Sequence, residues 1–218
     1  MPAYHRAFVS EFLTSDPTYL LGRLEAEYAR DGFASQFTPQ TRAWEELIPL
    51  LVRELQVVCS LLPGGQGWTV LLEFPLYRLQ KRIDIVLLAG SIVVVIEAKV
   101  GERRFRPSDE RQVEEYCLDL RDFHQQSRGR LLIPVLWATE APAGSSIPAS
   151  LDPSSVAPVV RAGKGELAGI LSRLPSEGAA PIDGHQWDSS AYRPVPKTLL
   201  DATALYLATC GARTYPPG

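Results

Sequence analysis

Arg82-Ile83-Asp84-Ile85-Val86-Leu87-Leu88, a turn at Ala89-Gly90, and Ile92-Val93-Val94-Val95-Ile96-Glu97-Ala98-Lys99 decide how this chain is read. The dense Val, Ile and Leu of both runs predict neighbouring strands covered on both faces. Three charged side chains interrupt them: Asp84 early in one run, Glu97 and Lys99 at the end of the other. Side chains alternate along a strand, so Glu97 and Lys99 share a face. The short connection brings Asp84 beside them. One buried carboxylate without a partner is costly, and two together are worse. Lys99 offsets one charge, and a divalent cation would offset the rest. Mg²⁺ (or Mn²⁺) suits carboxylate oxygens, and Mg²⁺ completes its shell with water and substrate phosphate. A metal-bound water beside a lysine makes a site for hydrolysing a phosphodiester. A Glu-x-Lys pair alone can equally be an exposed ion pair at a strand end, worth about 0–1 kcal/mol. The apolar run before it and the hairpin-linked Asp84 favour the buried reading. Lysine is also scarce: of 22 basic residues only Lys81, Lys99, Lys164 and Lys197 are lysines.

Upstream, Gly64-Gly65-Gln66-Gly67 predicts a turn, and Trp68 to Phe74 a first strand. Before it, Thr38-Pro39 reads as a helix start. Trp44, Leu47, Ile48, Leu51, Leu55 and Val58 then follow the 3.6-residue period of a core-facing helix. Pro49 lies inside that helix and predicts a kink. Ser10 to Arg30 reads as two helices split at Asp16-Pro17 and closed by Gly32. Downstream, Pro107-Ser108 opens a helix with Asp109 and Glu110 in its first turn. Its stripe is Val113, Tyr116, Cys117, Leu120 and Phe123 or His124. Leu131 to Thr139 predicts a fourth strand. Ala141 to Ser155 reads as a long loop, Val156 to Val160 as a fifth strand, and Gly165 to Leu174 and Lys197 to Thr209 as helices. This order predicts an α/β fold, a central mixed sheet flanked by helices.

The chain has 218 residues, 45% apolar and 22% charged, which suits one main domain and excludes a collagen-like or disordered chain. No apolar run approaches the ~20 residues of a membrane span, and no secretory leader pattern opens the chain. Cys59, Cys117 and Cys210 have no CxxC spacing, so neither a zinc ribbon nor a disulfide frame is expected, and the cytoplasm is the natural compartment. A net charge of −3 exerts no global pull on nucleic acid. The basic residues cluster locally instead. Arg103, Arg104, Arg106 and Arg111 follow the Glu-x-Lys strand, with Lys81 and Arg82 nearby, and are candidates for phosphate contact. His5, His124 and His185 show no metal-ligand spacing. Ala162-Gly163-Lys164-Gly165 lacks the phosphate-loop spacing, and no Gly-x-Ser-x-Gly elbow is present.

Asp84 followed by Glu97-Ala98-Lys99 resembles the PD-(D/E)XK superfamily of restriction endonucleases and repair nucleases. Gln112-Val113-Glu114-Glu115-Tyr116 is similar to the Q-x-x-x-Y motif of its RecB-like branch, with Gln112 and Tyr116 on one side of a helix. The resemblance implies a restriction-endonuclease-like core and an enzyme, an Mg²⁺-dependent endo- or exonuclease. Asp84, Glu97 and the Ala98 carbonyl would bind the metal. Lys99 would orient or deprotonate the attacking water, and Gln112 and Tyr116 would position the site. The superfamily often adds a glutamate on the first core helix. Glu46 is the favoured candidate, with Glu45 and Glu73 as alternatives. Ile83 stands where the motif often has proline.

The run from Ser10-Glu11-Phe12-Leu13 through Asp31-Gly32-Phe33 to Tyr192-Arg193-Pro194-Val195-Pro196 resembles the nuclease-like domain that precedes bacterial Schlafen-type helicases. This implies an N-terminal helical segment (1–37), a nuclease core (38–175) and a C-terminal extension (176–218). The implied partners are nucleic acid, DNA favoured over RNA, and a helicase domain or subunit, in anti-phage defence or DNA processing. No membrane partner is implied, and an oligomer is left open. The alternative is a catalytically silent module of this fold that binds nucleic acid or a helicase.

Overall fold

Six strands lie side by side in chain order: β1 (His5–Phe8), β2 (Thr69–Leu76), β3 (Lys81–Ala89), β4 (Ile92–Lys99), β5 (Leu132–Ala138) and β6 (Val160–Ala162). The computed structural model describes residues 3–30, 37–144, 147, 155–175, 180–193 and 203, with 37–41 as backbone. β1 to β4 pair antiparallel, and β4, β5 and β6 pair parallel. A parallel step needs a crossover, and α4 (Pro107–Phe123) supplies it between β4 and β5. The architecture is α/β, a mixed sheet with helices on both faces.

One face is covered by α1 (Val9–Thr14), α2 (Pro17–Arg30), α3 (Phe37–Leu61) and α5 (Leu167–Leu171). The expected stripe of α3, Trp44 to Val58, is buried there against Val70, Leu72, Ile85, Leu87, Val94 and Ile96. α4 covers the other face with Val113, Tyr116, Cys117 and Leu120, packed against Val86, Val93 and Val95. Burying each such side chain contributes about 1.5–3 kcal/mol. Among the described residues no helix is long and apolar enough to cross a membrane.

Several elements differ from the sequence reading. β1 was not expected; its four residues have no periodicity of their own and become a strand by pairing with β2. Val156 makes only a bridge to Leu132, and the last strand is Val160–Ala162. Gly165 has φ +69°, so it belongs to the turn before α5 and not to the helix. α6 (Gly184–Asp188) was also missed; Asp183 caps it by accepting the Gln186 N–H at 2.8 Å, and its Trp187 is buried on the α4 face. Asp31-Gly32-Phe33, Pro194 to Pro196, much of the 141–155 loop and, apart from Thr203, the expected helix of residues 197–209 lie outside the described residues. The first segment packs on the core, as the sequence reading has it: Val9, Phe12, Leu20, Leu24 and Tyr28 share one core with α3 and the sheet.

The pleat breaks at one place. Val70 and Leu72 face α3, yet Phe74 and Leu76 face α4. Opposite them, Ile85 and Leu87 face α3, whereas Ile83 faces α4. Alternate residues of a regular strand share a face, so both strands turn over between these positions. The register continues from Leu72↔Ile85 to Phe74↔Ile83, which leaves Glu73 and Asp84 at the break. Glu73 has φ +56°, the left-handed region that a residue with a Cβ enters only at a cost.

At the same end of the sheet, the loop after β5 is tied to the turn after β6. Glu166 Oε2 accepts the N–H groups of Gly144 and Gly163 at 2.7 and 2.8 Å. A Cβ on Gly163 would lie 2.2 Å from the Pro142 carbonyl oxygen. Gly163→Ala is therefore expected to lower stability by about 1–3 kcal/mol. Thermal unfolding checks this, and an unchanged Tm would show that the two loops do not meet this closely.

Candidate active site

The β3–β4 ladder pairs down to Ile85↔Ile96. Immediately beyond, the Asp84 carboxylate accepts the Ala98 N–H at 2.9 Å, so a side chain meets the next backbone donor. Glu97 on β4 is 3% exposed. Its Oε1 accepts from Lys99 Nζ at 2.7 Å and from Gln112 Nε2 at 3.0 Å. The Gln112 amide also donates to Tyr116 Oη at 2.6 Å. Lys81 lies 5.8 Å above the Tyr116 ring. Glu97 Oε2 is buried and has no hydrogen-bond partner among the described residues. Lone oxygens of this kind are rare in native interiors.

Asp84 and Lys99 open onto a cavity of about 520 Å³ between α3 and the strand ends, lined also by Arg42, Trp44, Glu46, Glu73, Ala98 and Glu102. Glu73 is 6% exposed. Trp44 Nε1 donates to its Oε1 at 2.8 Å, and Arg82 donates to its carbonyl at 2.7 Å. Burial pushes the Asp84 carboxyl up to about 7; the Glu73 charge adds to this, while the Ala98 N–H and Lys99 oppose it. Burial and then Asp84 push Glu97 up to about 8, against Lys99 and with a further contribution from Asp109. Burial works against the Lys99 ammonium, but Glu97, their hydrogen bond, Asp84 and Asp109 outweigh it and raise its pKa. Burial, then Glu97, raises the Tyr116 hydroxyl.

Asp84, Glu97, Ala98, Lys99, Gln112 and Tyr116 are thus brought together. Glu46 is not part of that group. It stands half-exposed on the cavity rim, 3.3 Å from Arg42, because the stripe that buries α3 leaves position 46 beside it. Glu45 is exposed. Glu73 is the acid whose charge reaches Asp84. Arg82 is not a free phosphate contact: its guanidinium lies 3.9 Å over the Tyr4 ring and holds the Glu73 carbonyl. Arg106 pairs with Glu102. Arg103, Arg104 and Arg111 are exposed and make no side-chain ion pair among the described residues. His124 is a core histidine, 2.8 Å from Ser127 Oγ and 3.0 Å from the Trp187 carbonyl.

Sequence reasoning placed Trp44 in the core but missed its indole donor, since a hydrogen-bond partner on another element leaves no local pattern. It also missed Arg42, although the four-residue spacing to Glu46 was legible. Among the described residues no three His, Cys, Asp or Glu side chains form a metal-holding group. Two carboxylates with one orphaned oxygen still fit a hard cation that takes its remaining ligands from water and phosphate. No protein-family model, curated protein or solved structure matches the chain.

The acid pair sets a pH dependence. An unfolded carboxylate titrates near about 4. Between there and about 8 the folded, metal-free protein holds more protons than the unfolded chain. Stability contributed by the pair is therefore full below that window and lost as pH rises through it. Asp84→Asn removes one titration and the repulsion with it. Its Tm is expected at or above the parent's near about pH 8, with a smaller decline from about pH 5 upward. Thermal unfolding without metal measures this. A lower Tm at the alkaline end would make Asp84 a structural partner of Lys99 instead.

Proposed function

We propose that this chain is a metal-dependent nuclease with a restriction-endonuclease-like core, hydrolysing phosphodiester bonds of nucleic acid. The observation that carries the reading is the buried Glu97, with one oxygen held by Lys99 and Gln112, the other unpartnered among the described residues, and the Asp84 charge acting on the group. The element order supports it: the resemblance implies a helix, a three-stranded meander, a helix and a strand, and α3, β2–β3–β4, α4 and β5 stand in that order. DNA is favoured over RNA on the resemblance alone. Association with a helicase rests on flanking segments that partly lie outside the described residues.

Asp84, Glu97 and the Ala98 carbonyl would hold Mg²⁺ or Mn²⁺, which would polarise a phosphoryl oxygen and lower the pKa of a bound water. The chain's own groups do the rest. Gln112 and Lys99 pin Glu97 Oε1 and leave Oε2 for the cation. Tyr116 fixes the Gln112 amide. The raised pKa of Lys99 keeps Nζ protonated. That favours orienting the water and stabilising charge on the phosphorane over acting as the base. Arg103, Arg104 and Arg111 would hold backbone phosphates without reading bases.

Two measurements test the reading. Mg²⁺ or Mn²⁺ is expected to raise the Tm of the parent and support cleavage, while Lys99→Ala folds but cleaves roughly a hundredfold more slowly or worse. Metal that leaves Tm and cleavage unchanged would favour the silent binding module, and wild-type cleavage by the alanine variant would remove Lys99 from the chemistry. Separately, changing Arg103, Arg104 and Arg111 together to Gln is expected to weaken binding evenly across sequences. The log–log salt slope should flatten by about 0.9 per lost contact on duplex and about 0.7 on single strands. An unchanged slope would place these arginines on an ordinary solvated surface.

A further inference from the structure

We propose that Arg42 is the cation that receives substrate phosphate on the α3 wall of the cavity, and that Glu46 occupies it until substrate arrives. The proposal rests on the phosphodiester reading and adds a binding group outside the acid–lysine set. The charged residues lining the cavity are Glu46, Glu73, Asp84 and Glu102 against Arg42 and Lys99. A divalent cation at Asp84 and Glu97 would leave Glu46, Glu73 and Glu102 still lining the approach, and these repel a phosphodiester unless a cation meets it at the mouth. Lys99 is already committed to Glu97 at 2.7 Å. Arg42 is the other cation of that lining, and it is loosely held. Its side chain is 80% exposed, and its contact with the 51%-exposed Glu46 is long, at 3.3 Å. An exposed pair four residues apart on a helix is weak.

A phosphate offers the guanidinium two short charge-assisted hydrogen bonds in place of one long contact. Arg42 stands on the helix covering one face of the sheet, whereas Arg103, Arg104 and Arg111 flank the start of α4, which covers the other. A strand passing the site would thus be held from both sides. The two partners of the surface pair then act in opposite senses. Arg42 holds the phosphate, and Glu46 competes for Arg42 and repels the phosphate.

Because Arg42 and Glu46 are both exposed, their neutral variants are expected to keep the fold, which circular dichroism checks. Binding is measured with labelled DNA and RNA oligonucleotides, single- and double-stranded, from low to moderate salt. Ca²⁺ serves as the hard cation. Arg42→Gln is expected to weaken binding about fivefold or more and to lower the salt slope by roughly 0.7–0.9. Arg42→Lys should fall between that variant and the parent, since a point charge replaces a fork. Glu46→Gln should tighten binding about twofold. A merely structural ion pair predicts that both neutral variants behave alike. If the parent binds and Arg42→Gln and Glu46→Gln shift affinity in the same direction, or not at all, the Arg42 assignment is overturned while the nuclease reading stands. If the parent binds no oligonucleotide, the phosphodiester reading falls and this assignment with it.

Discussion

Two crowded carboxylates beside one lysine, Glu97 buried and Asp84 at the cavity wall, are the arrangement on which the rest of this molecule depends. Asp84 and Glu97 repel each other, and burial raises both pKa values. Such a pair survives only where the surroundings outweigh it. The surroundings are the apolar run Ile92–Ile96, paired on both edges and covered on both faces. The same burial that stabilises the sheet raises the cost of the acids at its end. Three donors soften that cost: the Ala98 N–H, the Lys99 ammonium and the Gln112 amide. Glu97 Oε2 is left over, and that remainder gives the site its chemical character.

The second device is the break at Glu73. A strand residue with φ +56° is unfavourable by about 1–2 kcal/mol, and strain of this kind persists only where packing over-determines it. Trp44 from α3 and Arg82 from β3 hold Glu73 at its carboxylate and its carbonyl. They are themselves braced by rings. Tyr4 lies under Arg82, and the Trp44 ring meets Tyr4 at 6.5 Å and Tyr28 at 5.7 Å, both edge-on. The N-terminal segment therefore supports the site through aromatic contacts with α3. Arg82, a phosphate candidate by its place in the chain, is drawn into that support.

The cations sort by what holds them. Lys99 is bound into the acid pair, Arg82 into the brace and Arg106 to Glu102. Arg42, Arg103, Arg104 and Arg111 stay near solvent around the site. A net charge of −3 thus coexists with exposed arginines grouped around an acidic centre.

By itself the sequence determined the sheet core, the helices that flank it from α1 to α4, and the grouping of Asp84, Glu97 and Lys99. These are set by local periodicity, alternation on β4 and a hairpin of fixed register; a four-residue step on α4 put Gln112 and Tyr116 on one side of their helix, and only the resemblance brought that side to the acids. β4 was read to the residue, Ile92–Lys99, because its apolar run has no competing pattern. Only the tertiary structure decided that the Glu73 charge acts on Asp84 while Glu46 stands on the cavity rim against Arg42, that Arg82 turns inward, and that His5 to Phe8 forms a strand. Each of these depends on a partner distant in sequence: Trp44 for Glu73, Tyr4 for Arg82, β2 for β1. Local periodicity tells a residue which face of its own element it occupies. It carries no information about what stands opposite, and a left-handed residue in a strand reverses the face itself.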